Sequence, residues 1–86
     1  MTIHEVVNAM RLQKLDMPFN ALPGSREHFP AHQTDVLISE DGELVIAINR
    51  ITGRFAAQKG EVCILGFSDV ELLPEDACAL TRCSET

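Results

Sequence analysis

The sequence predicts an α+β domain. It reads as an N-terminal amphipathic helix, a three- or four-stranded antiparallel sheet that can curl into a small barrel, and a short C-terminal helix. Two observations carry this. Residues 34–49, TDVLISEDGELVIAIN, set two β-prone runs about the acidic turn Glu40-Asp41-Gly42, the pattern of a hairpin. Ahead of it, Ile3, Val6, Val7 and Met10 recur at helical spacing. Size adds a bound: 86 residues make one domain, residues 1–86. A chain near this length buries only roughly 60–70 % of its unfolded surface.

Taken in order, Thr2-Ile3-His4-Glu5 forms a capping box, with Thr2 accepting from the amide of Glu5 and Glu5 reaching back. The apolar stripe that follows predicts a helix over about residues 3–15, stopped at the latest near Asp16 by Pro18. Residues 16–33 hold three of the four prolines yet also Met17, Phe19, Leu22 and Phe29, so they read as a loop that wraps the core. The hairpin runs out over 34–39 and back over 43–49. On the return strand Leu44, Ile46 and Ile48 alternate with Val45, Ala47 and Asn49, which suits a strand buried on both faces. Residues 51–55 bend the chain about Gly53, and Lys59-Gly60 opens a third strand over 61–67. Residues 70–73 form either a short fourth strand, which alternation favours, or one helical turn closed by Pro74, and Glu75 and Asp76 favour a helix over 75–82. Helix 1 is expected to cover one sheet face. The other is left for the 16–33 loop, the C-terminal segment or a second subunit.

Charge sets aside several function classes. The net charge is −6, with residues 1–33 balanced, four acids and no base in 34–46, and only Arg50, Arg54 and Lys59 in 47–60. Such a chain is not built to neutralise the phosphates of duplex nucleic acid. There is no Trp or Tyr, which removes the usual stacking platform for sugars and single strands. Cys63, Cys78 and Cys83 are odd in number, and the N-terminus has no leader-like apolar run, so a reducing cytoplasm is expected rather than a disulfide framework. No stretch approaches the roughly 20 apolar residues of a membrane helix.

Candidate chemistry is sparse. Arg50, Thr52 and Arg54 surround a bend and could hold a phosphate or carboxylate through forked donors and backbone amides. Against this, both arginines could pair with acids of the neighbouring strands. Asp35, Glu40, Asp41 and Glu43 are candidate partner-facing acids. With Glu61, Asp69, Glu71, Glu75 and Asp76 they could form a carboxylate face imitating nucleic-acid phosphates, provided Arg50, Arg54 and Lys59 stay outside it. His28 and His32 have the i, i+4 spacing of a metal pair, but Pro30 between them breaks the helix that spacing needs. Cys63 reads as a small core hydrophobe in an apolar strand. Glycine-rich phosphate loops and zinc-protease motifs are missing, so no catalytic residue, metal or cofactor is expected.

The function these readings favour is a cytoplasmic, non-enzymatic protein acting through protein–protein contact, as a homodimer or with a separate partner. A nucleic-acid-mimicking inhibitor and an anion- or small-molecule-binding module are the alternatives. In size and composition alone, the chain looks like accessory proteins of bacterial mobile elements.

Overall fold

The computed structural model describes residues 1–15 and 28–81. Helix α1 (Ile3–Ala9) leads into strand β1 (Gln13–Leu15). A 3-10 turn (Ala31–Gln33) precedes β2 (Thr34–Ile38), followed by β3 (Leu44–Asn49), β4 (Arg54–Lys59), β5 (Val62–Phe67) and helix α2 (Pro74–Thr81). The strands form one antiparallel meander in the order β1-β2-β3-β4-β5. The α+β class and the presence of an N-terminal and a C-terminal helix match expectation. The described strands number five instead of three or four, and β1 and β5 lie at opposite edges with no ladder joining them, so the described sheet is open and gives the barrel no support.

Three local readings are corrected. The first helix is shorter than residues 3–15, because Arg11 adopts a left-handed φ of 55°. Arg11 N–H then donates to Asn8 O at 3.3 Å and Leu12 N–H to Val7 O at 3.1 Å, the paired bonds of a Schellman ending. That frees Gln13, Lys14 and Leu15 to pair with Ile38, Leu37 and Val36. Second, residues 54–59 are a full strand, held between β3 and β5. Third, residues 70–73 are no strand: Val70 N–H closes a turn on Phe67 O, and Leu72 N–H donates to Met1 O at 2.8 Å. The capping box forms as read, with the Thr2 amide donating to Glu5 at 2.7 Å.

Strand alternation sends two sets of side chains to opposite faces. On one, Leu44, Ile46 and Ile48 from β3 and Phe55 and Ala57 from β4 pack beneath Ile3 and Val6 of α1 and Leu80 of α2. On the other, Val36, Ala47 and Ala56 pack against Phe29. Phe29 lies within the 16–33 segment, so this described end of the segment, one of the three covers the sequence allowed, packs on the second face. Asn49 fixes it there: the Asn49 amide donates to His28 O at 2.7 Å and Gln33 Oε1 at 3.1 Å. Its carbonyl oxygen accepts from the amides of Ile51 and Thr52, so this buried side chain also builds the turn into β4. Gly53 completes that turn at φ 81°, a conformation that favours glycine.

Candidate functional site

Three surface regions compete as a site, and they differ in how completely the protein satisfies them internally.

The cationic bend is divided between the two sheet faces. Arg50 is bound to Asp35 at 2.6 Å and to His32 O at 2.7 Å, and Lys14 reaches the same Asp35 oxygen at 3.1 Å. Burial pushes the Asp35 carboxyl upward, but the hydrogen bonds from Lys14 and Arg50 outweigh it and hold the pKa below its ordinary value. Arg54 points to the other face and lies over the Phe67 ring, 5.1 Å from its centroid. The Thr52 hydroxyl accepts from the Arg54 amide at 3.2 Å and serves the turn. Thus Arg50, Thr52 and Arg54 lie close in sequence, but the two guanidinium groups have separate local partners on opposite faces. Beside Asp35 and Arg50 a cleft of about 430 Å³ runs under α1, floored by Val7, Leu37 and Ile48 with His4 on its rim.

The acids are likewise split between the two ends of the sheet. Glu40 and Glu43 are exposed at the hairpin tip, whereas Asp41 is engaged in the turn, accepting from Ser39 Oγ at 2.6 Å and Glu43 N–H at 3.0 Å. Lys59 sits opposite Leu44, between this tip and Glu61. Asp35 lies toward the other end of the β2–β3 ladder, with Lys14 and Arg50 upon it. Cations therefore lie among the carboxylates, contrary to the condition set by a nucleic-acid mimic. His28 meets Phe29 edge-on with ring centroids 6.5 Å apart, and among the described residues no group of acid, His and Cys side chains is arranged to hold a metal.

The third region is the outer edge of β5, which sequence reasoning did not single out. In the β4–β5 register Phe55 faces Gly66 and Ala57 faces Ile64, and Ser68 N–H donates to Gly53 O at 2.7 Å one step further along. By the alternation of an antiparallel ladder, Gly66, Ile64 and Val62 share this bonding phase with Ser68. The amides of Cys63, Leu65 and Phe67 are therefore directed outward. Among the described residues no strand pairs with them. Cys63, expected in the core, is exposed on this edge, because the cover supplied by Phe29 lies over β3 and β4.

The flanks of the edge are also apolar and open. Leu65 is 66 % exposed, Leu73 59 % and Val70 55 %, with Val62 and Phe67 both at 43 %. A hollow of about 200 Å³ lies on each side of the strand. One is bounded by Phe29, Arg54, Leu65 and Phe67. The other has Phe55, Ile64 and Leu72 for a floor and Glu71 and Asp76 at the rim. Gly66 keeps space open beside the Phe55 ring, where any other residue would place a Cβ. A sequence signal for this site did exist: VCILGF contains no charge and no proline, the devices that usually protect an edge strand. It could be read only once β5 was known to be terminal in the sheet.

Comparison with protein-family models, curated proteins and solved structures finds no match. No helix among the described residues is long and apolar enough to cross a membrane.

Proposed function

We propose that this is a non-enzymatic interaction protein that holds another polypeptide by strand addition at β5. One observation carries the reading: an uncharged strand whose outer edge is unpaired among the described residues, bordered by Leu65, Phe67, Val70 and Leu73, all exposed. Soluble domains normally blunt such an edge, and a row of unpaired amides beside apolar side chains is what strand-adding partners use. Main-chain bonds supply affinity there, and hollows on alternate sides select side chains. The exposed thiol of Cys63 suits a reducing cytoplasm.

The small-molecule alternative retains one favourable observation, the cleft under α1. The Arg50 guanidinium that lines it, however, is already engaged by Asp35 and a carbonyl, which leaves less for a ligand to gain. Among the described residues no strand pairs with the outer β5 edge.

Site-directed photocross-linking in the cells from which the chain comes tests the proposal. A benzophenone side chain at Leu65 should give discrete adducts with a second polypeptide, whether another copy or a different protein. Gln13, exposed on β1 at the opposite edge of the sheet, is the control and should give none. No adduct at Leu65, or the same adducts from both positions, would overturn the reading.

A further inference from the structure

We infer that the occupant of the β5 edge is an extended segment of a different protein, with basic side chains on its α2-facing side and apolar ones on the other. This rests on the reading of β5 as a docking edge and adds the chemistry of the partner.

The argument is charge complementarity across an uncharged strand. Residues 61–76 contain Glu61, Asp69, Glu71, Glu75 and Asp76 and no basic residue. Glu71 is paired with the Met1 ammonium at 2.7 Å, while Glu61, Asp69, Glu75 and Asp76 have no ion pair among the described residues. Asp76 stands at the rim of the hollow whose floor is Phe55, Ile64 and Leu72. An apolar floor with a carboxylate rim fits a Lys or Arg whose stem lies along the floor and whose head reaches the acid.

Across the strand the requirement changes. The hollow there holds Arg54 stacked on Phe67, with Phe29 and Leu65 beside it. A second cation would be repelled, and an apolar side chain would extend the surface already present. Side chains of a sixth strand alternate between the two hollows, so the complementary pattern is basic–apolar–basic–apolar.

A second copy fits this edge less well. Two β5 strands paired about Leu65 through their outward amides would set Glu61 of each against Asp69 of the other. Neither would bring a basic side chain to Asp76, and each chain carries a net charge of −6. Like charges directly opposed across strands destabilise the pairing.

The test uses the full chain and three synthetic peptides, titrated with amide chemical shifts as the readout. The probes are capped Val-Lys-Val-Lys-Val-Lys-Val, its twin with Glu for every Lys, and a scrambled Val-Val-Lys-Lys-Val-Lys-Val. The alternating basic peptide should bind with shifts centred on Cys63, Leu65 and Phe67. N-methylating alternate amides along one of its edges should abolish that binding. Asp76→Asn should weaken it about three- to tenfold, as expected of one partly screened ion pair. Glu40→Gln, at the remote hairpin tip, should leave it unchanged.

Equal binding by the scrambled peptide or the Glu twin would overturn the inference, as would shifts centred on the hairpin tip or no binding at all. Sedimentation showing a dimer joined through β5 would overturn it too, while leaving the docking reading intact. Loss of both the peptide shifts and the Leu65 cross-link would remove both.

Discussion

Gly66 lies directly opposite Phe55 in the β4–β5 ladder, so near that a Cβ on the glycine would come within 3.0 Å of the ring's Cε2 and 3.1 Å of Cζ. Phe55 is only 1 % exposed and packs in the main core, so its ring has little room to withdraw. This one pairing shapes the hollow beside β5 and ties the surface site to the packing beneath it.

Gly66→Ala should therefore destabilise the protein. Overpacking costs about 1–3 kcal/mol, while a glycine-to-alanine change recovers about 0.4–1 kcal/mol from the unfolded chain. The net expectation is a loss of about 1–2 kcal/mol, read as a lower urea midpoint with an unchanged slope. A raised midpoint would mean the ring yields freely.

Arg11→Gly should act in the opposite sense. Arg11 is exposed and occupies the left-handed position that ends α1, with φ 55°. An L-residue there costs roughly 1–2 kcal/mol, partly offset by the greater freedom glycine loses on folding. A gain of about 0.5–1 kcal/mol in thermal unfolding is expected.

These two positions show what the sequence made legible. The capping box, the hairpin about Gly42 and the C-terminal helix follow from local chemistry and were readable. The end of α1 was not, because the residue in the left-handed position is arginine where glycine is the usual signal. Strand β4 was missed for a different reason. Its centre is Ala56-Ala57, small residues with little β-propensity, but both are almost fully buried because Phe29 and the core under α1 press on opposite faces. The candidate site turned on residues 70–73 instead. As a strand they could have paired with β5 and hidden its outer edge, whereas the turn closed on Phe67 O and the bond from Leu72 N–H to Met1 O take them off the sheet.

Asn49→Ala should cost about 2–3 kcal/mol, since it removes a buried side chain that donates twice and accepts twice. The change also unfastens the segment carrying Phe29. Amide exchange at Ala47 and Ala56, beneath that ring, should rise more than at Ile3 and Val6 on the opposite face. A uniform increase would show that Asn49 supports the whole fold and not the cover in particular.

The Asp35 cluster predicts a pH dependence of definite sign. Its carboxyl pKa is lowered in the folded chain, so its contribution is present above the unfolded value, about 3.9, and is lost as pH falls through the lower folded value. Thermal unfolding followed from pH 6 to pH 2 should show a smaller loss of stability on acidification for Asp35→Asn than for the parent chain. Parallel curves would mean that Lys14 and Arg50, both substantially exposed, contribute nothing measurable through this carboxylate.

The central claim is that the outer edge of β5 is open in the free protein, and residue-resolved amide hydrogen exchange on a dilution series tests it most directly. Ile64 and Gly66, bonded to β4, should exchange slowly at every concentration. Cys63, Leu65 and Phe67 should exchange rapidly in the dilute chain and become protected only when a partner strand is supplied. Slow exchange at all of these positions in a dilute monomer would contradict the account, because the edge would then already be occupied by the chain itself.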